Sequence, residues 1–317
     1  MMENRTKWLD KPYNNLNAFL RSKFGTKVIK LSVDGGFSCP NRDGTLGTGG
    51  CIFCSESGSG EFSGDRQQTI TEQIESQIDL LKEKWPTAKY MVYFQSYSNT
   101  YGDIAHMEAQ FREALSYPDV VGLAIATRVD CIDEDVLTLL STLNKETYIW
   151  VELGLQSIMT EHHQLLNTGY TATQFSETAE RLASHEIDVV GHVILGLPDS
   201  PGTLLEETIN FLNDVPIKGL KIHMLNILEQ TALATLYEKN PFQLLEMEAY
   251  LGQVIRIVEH LRQDIVIHRV TGDGAKEQLI GPRWILNKRK VLNTLMKQFK
   301  LQESYQGKYY EGAGGKK

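Results

Sequence analysis

Short apolar runs alternate along the chain with longer stretches in which apolar residues recur every three or four positions. The runs KVIKLSV (27–33), KYMVYFQ (89–95), VVGLAIAT (120–127), TYIWVELGL (147–155), DVVGHVILG (188–196), GLKIHMLNI (219–227) and DIVIHRV (264–270) are rich in Val, Ile, Leu and aromatics. They lack the alternation of a one-sided sheet, which predicts strands covered on both faces. TITEQIESQIDLLKEKW, starting at Thr69, predicts an amphipathic helix. Thr69 and Glu72 stand in capping-box spacing, and Ile70, Ile74, Ile78 and Leu81 share one face. IDEDVLTLLSTL repeats the design, with acidic residues in the first turn where the helix dipole favours them. Further helices are predicted at 172–186, 203–213, 243–263 and 284–299. Six strand–helix repeats and a seventh strand predict an α/β fold, an incomplete (β/α)6 TIM-like barrel. Function then belongs on the loops at the C-terminal ends of the strands.

A length of 317 residues suits one such barrel with terminal additions. The expected division is a basic N-terminal extension (1–26), a barrel core (27–275) and a basic C-terminal extension (276–317). Hydrophobic and charged fractions of 41% and 23% are those of a globular protein and exclude a disordered or fibrous chain. The sequence opens without an apolar signal segment and has no run of eighteen apolar residues, which predicts a cytoplasmic protein with no membrane partner. The net charge of −8 speaks against nucleic acid until its distribution is seen: residues 276–317 carry +7 and residues 1–30 carry +5. Two basic ends flank an acidic body. Such ends bind phosphates or are merely solvated helix faces and a charged tail, and charge alone leaves both open.

Three of the four cysteines fall in one glycine-rich stretch after the first strand, DGGFSCPNRDGTLGTGGCIFCSESGSGEF. Uneven spacing argues against a secreted disulfide framework. Cys39-x11-Cys51-x2-Cys54 offers soft thiolates to zinc or to an iron–sulfur cluster. A closed zinc site needs a fourth ligand, and only Cys131 is available, no His preceding His106. Three thiolates fit a [4Fe–4S] cluster with one iron open to a cofactor or substrate.

This triplet, with Phe53 immediately before its last cysteine, resembles the radical S-adenosylmethionine (SAM) superfamily. The usual spacing there is x3 then x2. The longer first gap, together with GFSCPNRDG, GGCIFC and GSGEF, resembles the YhcC/YtqA-type subfamily, related to the Elongator catalytic subunit, over nearly the whole chain. The resemblance implies a [4Fe–4S] cluster on Cys39, Cys51 and Cys54, with SAM chelating the open iron through its amino and carboxylate groups. It implies reductive cleavage of SAM to methionine and a 5′-deoxyadenosyl radical that takes a hydrogen atom from the substrate. Cofactor contacts are then expected at Phe53, at Gln95 and Ser96 in FQSYSNTYG, at Glu152 and Gln156 in WVELGLQS, and at the backbone of Gly196 and Leu197 in GHVILGLPDSPGT. Gly-Leu-Pro also reads as an ordinary turn.

Catalytic candidates are Arg128, Glu152 and Arg269. Glu152 interrupts an apolar strand, and a buried carboxylate is costly unless paired. Arg128, in ATRVD, has a planar fork that suits the methionine carboxylate, a substrate acid or simply Asp130, and the three stay open. Tyr97, Asn99 and Thr100 face the substrate or form a polar turn. Lys221, His223, Asn226 and Thr231, with His268, Arg269 and Asp273, are candidates to shape the substrate pocket, although a lone His is commonly a core residue. Cys131 reads as a buried structural thiol.

The subfamily resemblance also implies a substrate: transfer RNA (tRNA), with 5-carboxymethylaminomethyl-uridine at the wobble position converted to 5-aminomethyl-uridine. A low-potential donor such as flavodoxin or ferredoxin would supply electrons, and a separate tRNA methyltransferase would act downstream. The basic segment, with Trp284, Tyr305, Tyr309 and Tyr310, would contact RNA. Alternatively it caps the barrel through Trp284, Ile285, Val291 and Leu295 while Lys288, Arg289 and Lys290 face out, and both can hold. Other readings are a radical enzyme for a small metabolite or peptide, a non-catalytic zinc-binding RNA module, and a coproporphyrinogen-oxidase-like enzyme, against which the long cysteine gap speaks.

Overall fold

The structure, a computed structural model, describes residues 8–58, 60–86, 88–272 and 276–312. All seven predicted strands form: β1 (Val28–Val33), β2 (Lys89–Phe94), β3 (Val120–Thr127), β4 (Tyr148–Gln156), β5 (Asp188–Leu195), β6 (Gly219–Met224) and, after a short β7 (Ile227–Leu228), β8 (Val266–Arg269). They make one parallel sheet in the order β1-β2-β3-β4-β5-β6-β8, an open barrel whose two end strands are β1 and β8. β7 pairs antiparallel with β9 (Leu279–Gly281) beyond the C-terminal end of β6.

The helices are α1 (Leu16–Phe24), α2 (Ile70–Leu81), α3 (Ile104–Ser116), α4 (Glu134–Glu146), α5 (Thr160–Leu166), α6 (Ala172–Ser184), α7 (Leu204–Asp214), α8 (Ala232–Lys239), α9 (Met247–His260) and α10 (Lys288–Leu301). The capping box predicted for α2 is present, Thr69 and Glu72 bonding reciprocally. Four helices, α1, α3, α5 and α8, were not expected. Each is short or buries few residues, α3 only Met107, Phe111 and Ala114, so its apolar stripe is thin. The segment expected to be helical from 284 begins as a 3-10 turn (Arg283–Leu286), and α10 starts only after the Asn287 cap.

Both sheet faces are covered, by different material. Outward-facing Leu31, Val33, Val92, Phe94, Ile125, Val151 and Val193 pack under the helices in one continuous core. Inward-facing Val28, Met91, Ala124, Trp150 and Val190 instead pack on Leu20 of α1, with Leu16, Phe19 and Phe24 around it. The first helix therefore plugs the lower, N-terminal end of the barrel. Its start is fixed by Asn15, whose Oδ1 accepts from the Ala18 amide at 3.0 Å, and its end by Gly25 in the left-handed conformation. Asn15 also bridges to Ile267 of β8, so this segment lies along the end strand opposite β1.

At the other terminus, α10 buries Val291, Leu295 and Phe299 while Lys288, Arg289 and Lys290 are exposed, so the capping role holds for this helix. Truncating a fully buried side chain such as Leu295 to Ala costs about 2–5 kcal/mol. The chain then crosses the lower end of the barrel. There the buried Gln306 side chain accepts from the Asn14 amide at 2.8 Å and donates to the carbonyls of Arg262 and Ile265 at 2.7 and 2.8 Å. Tyr305, Tyr309 and Tyr310 follow the chain to that end. Trp284 instead stacks near Tyr250, with ring centroids 5.4 Å apart, and donates to the Leu245 carbonyl.

Candidate active site

Between β1 and α2 the chain forms the cysteine loop. Cys39, Cys51 and Cys54 form no disulfide, are half-buried, and together line the wall of one cavity of about 380 Å³. Side chains and backbone from distant elements hold the loop in shape. Asn41 Nδ2 donates to the Asn167 carbonyl at 2.6 Å and approaches Cys51 Sγ at 3.8 Å, and Asn167 donates back to the Gly50 carbonyl at 2.8 Å. Arg42 donates to the carbonyls of Cys54, Ser55 and Glu56 and, with Arg66, lies over the Tyr97 ring. Gly58 has φ +60°, and a Cβ there would meet the Tyr97 ring at 2.6 Å, so this turn requires glycine.

Three soft sulfur donors on one cavity wall suit an iron–sulfur cluster. A hydrogen bond shared with Cys54, and then burial, push the Cys51 thiol well up; a bound cation reverses that balance by deprotonating coordinating thiols outright. Among the described residues no group of three or more His, Cys, Asp or Glu side chains is arranged to hold a single metal ion. Cys131 is buried outside the cavity lining, its Sγ 3.8 Å from Asp130, and burial pushes its thiol up.

Above the floor, the cavity is lined by Phe53, Gln95, Tyr97, Ser98, Arg128, Gln156 and Asn226. Gln156 has φ +62° and sits where the β4–β5 register shifts, an unfavourable backbone for a non-glycine residue. Arg128 is only 7% exposed; it grips Asp130 with Nε at 2.8 Å and Nη2 at 2.6 Å. Among the described residues its Nη1 has no hydrogen-bond partner. Of the three roles open to Arg128, the Asp130 pair is formed and one N–H group remains for a ligand.

Several sequence candidates lie elsewhere. Ser96, past the end of β2, bonds Ser63 at 3.0 Å and is not part of the cavity lining. Gly196 turns under Leu245, and Leu197 packs with Leu166, Leu225 and Ile227. Neither lines the cavity, whereas Ile194 does. Asn99 donates to the carbonyls of Phe94 and Ala126, and Thr100 bonds Thr127 and the Cys131 carbonyl, which makes them staples between loops. Thr231 caps α8. His268 packs edge-on to Trp150 at 5.2 Å. Asp273 lies outside the described residues.

At the bottom of the cavity Glu152 is fully buried. Its Oε1 accepts from Trp150 Nε1 at 3.0 Å and Lys30 Nζ at 3.5 Å, and its Oε2 from His192 Nε2 at 3.0 Å and from Lys221 Nζ. Burial alone would raise this carboxyl, but Lys221, Lys30 and His192 outweigh it and hold it well below the usual carboxylate range. Lys30 lies 3.7 Å and Lys221 4.6 Å from the centre of the Tyr93 ring. His192 is pulled down to about 4, by burial first and then by Lys221; burial likewise holds His223 and His268 well below the usual imidazole range. Glu152 thus serves as a counter-ion at the floor, and Lys221, His223 and Arg269 face the cavity beside it.

Sequence reasoning missed Lys30, Tyr93 and His192 here, and Arg42 and Ser98 above. A signal for the floor exists: Lys30 and Ser32, Tyr93 and Gln95, Glu152 and Gly154, and Lys221 and His223 occupy one parity of their strands, and the opposite parity is apolar.

This placement, at the C-terminal ends of the strands of an open barrel, agrees with the comparisons. A family model described as the radical SAM superfamily matches residues 44–212, more than half of the chain. The chain belongs to the radical SAM superfamily. As such it binds a [4Fe–4S] cluster and SAM. A second model, the radical SAM C-terminal domain, matches residues 217–300 and so runs across the 275/276 boundary. This radical SAM chain is 40% identical to YtqA of Bacillus subtilis (strain 168) over 302 residues, 95% of this chain and 94% of that one. It is 31% identical to YhcC of Escherichia coli (strain K12) over 283 residues, 88% and 90% of the two chains. Its fold resembles that of the archaeal Methanocaldococcus infernus Elp3 lacking its N-terminus, with a TM-score of 0.67 at 15% identity. That match takes in 88% of this chain and 64% of the Elp3 chain. Among the described residues no helix is long and apolar enough to cross a membrane.

Proposed function

We propose that this radical SAM enzyme acts on tRNA, converting 5-carboxymethylaminomethyl-uridine at the wobble position to 5-aminomethyl-uridine: with SAM as the net two-electron oxidant, the N–CH2 unit would lose a hydrogen atom and then an electron to become an imine, and water would cleave the C–N bond to release the two-carbon fragment as glyoxylate. One observation carries the reading: a single cavity joins three thiols at its upper wall to cationic residues at its floor. Exposed Arg283, Lys288, Arg289 and Lys290 follow directly on β9, the partner of β7, and suit a polyanion. Tyr305, Tyr309 and Tyr310 lie at the lower end of the barrel, so the RNA-contacting part of the C-terminal segment is its first half.

Cys39, Cys51 and Cys54 would hold the cluster, and Gln95, Gln156 and Phe53 would line the place of SAM. Bound together, cluster and SAM would supply one-electron reductive chemistry and, through it, hydrogen-atom abstraction from the substrate. Arg128 Nη1 would donate to the methionine carboxylate while Asp130 fixes the guanidinium plane. The apolar plug below and the loops above keep water from the reacting atoms. Flavodoxin or ferredoxin is the proposed electron donor, and a tRNA methyltransferase the proposed downstream partner.

Anaerobic incubation of the reconstituted enzyme with dithionite and SAM tests the chemistry: 5′-deoxyadenosine forms with the wild type and not with Cys39→Ala. Nucleosides of tRNA from a strain lacking this chain test the substrate: 5-carboxymethylaminomethyl-uridine accumulates, and an unchanged profile refutes the assignment. The net charge of −8 favours a second reading, a small metabolite or peptide substrate. tRNA binding that falls steeply with salt excludes it.

A further inference from the structure

The charges at the barrel floor do not balance. Among the described residues Glu152 is the only carboxylate within 4.0 Å of Lys30 or Lys221, so two lysines share one counter-ion. Arg269 stands beside them: it is the register partner of Lys221 between β6 and β8, and it lines the same cavity.

Hydrogen-bond capacity is equally one-sided. Both oxygens of Glu152 are taken, each by two donors, which leaves it little to offer a ligand. An ammonium group carries three N–H bonds. Lys221 commits one to Glu152 and one to the Tyr93 hydroxyl at 3.3 Å. Its third is a donor on a side chain that is 5% exposed and borders the cavity. A buried surplus of positive charge is unfavourable until an anion meets it.

We infer that this floor is a subsite for the anionic end of the substrate, a carboxylate held between Lys221 and Arg269 with Glu152 as the fixed counter-ion. Between the two lysines and Glu152 the surplus is one positive charge. A monoanionic carboxylate balances it and has two oxygens to divide between the Lys221 ammonium and the Arg269 guanidinium. Glu152 and Lys30 are positioning groups here; Lys221 and Arg269 touch the ligand. The inference rests on the radical SAM reading for placing the substrate in this cavity. It deepens the tRNA proposal, since the carboxymethylamino side chain ends in such a carboxylate.

The test uses small probes in place of tRNA. Reconstituted holoenzyme, saturated with SAM under anaerobic conditions and held at constant ionic strength, is titrated with N-methylglycine, methylamine or inorganic phosphate while its melting temperature is followed. N-methylglycine is expected to raise the melting temperature in a saturable way, and methylamine and phosphate to leave it unchanged. Arg269→Gln is expected to weaken the N-methylglycine response about tenfold, the loss of one charge-assisted contact, and Lys221→Arg to retain it. The subsite is refuted if methylamine or phosphate acts as strongly as N-methylglycine, or if Arg269→Gln responds like the wild type. A failed tRNA assignment shows in the nucleoside profile and leaves these titrations untouched, so the two failures are distinguishable.

Discussion

At the cysteine loop the thiols come together within residues 39–54, held by backbone carbonyls and by Asn41 and Arg42. At the floor, Lys30, Tyr93, Glu152, His192 and Lys221 come from five different strands and meet around one carboxylate. The two regions line the same cavity and differ in what completes them. The loop presents half-buried donors that a ligand finishes, so its residues govern cofactor more than fold. The floor is an ion cluster in a poorly screened interior, and removing one member leaves its partners exposed to the full penalty of burial.

The sharpest break of this contrast is Cys39→Ala. We expect iron content and 5′-deoxyadenosine formation to fall to background, while urea unfolding of the cluster-free chain shifts by less than about 1 kcal/mol. Glu152→Gln should do the reverse in the cluster-free chain, destabilising it by about 3–5 kcal/mol because two lysines lose their counter-ion. If both variants unfold at the same urea concentration, the distinction between loop and floor fails.

A titration sharpens it further. His192, His223 and His268 bind protons less readily when folded than when unfolded. Stability of the cluster-free chain should therefore be complete above about pH 6.5 and fall as the pH drops toward the folded value of His192, about 4. His192→Gln should flatten part of that slope, as read from melting temperatures across the range. The smallest effect belongs to Asn41→Ala, which loses one hydrogen bond to the Asn167 carbonyl and should cost about 1 kcal/mol, with a modest drop in iron bound per chain.

The same contrast explains what could be read from the sequence. Cys39, Cys51 and Cys54 announce themselves because ligand spacing is local, and all seven strands do so because each run is short and rich in Val, Ile, Leu and aromatics. Phe53, Gln95 and Gln156, expected from the resemblance, line the cavity. Ser96, the neighbour of Gln95, bonds Ser63 instead, a difference of one residue that the sequence does not signal. Lys30 and His192 were passed over because a single polar residue in an apolar run acquires meaning only beside Glu152, which lies 122 and 40 positions away. Helix α1 was overlooked for a different reason. Nine residues with two buried side chains leave little periodic signal, and the helix is stabilised by what it plugs.

That plug also governs traffic. With Leu16, Phe19, Leu20 and Phe24 filling the lower end, the chamber has no downward exit among the described residues, and a visitor to the floor enters and leaves from the side of the cysteine loop. Molecules in such a space form a queue: the group seated deepest is the first to enter and the last to leave.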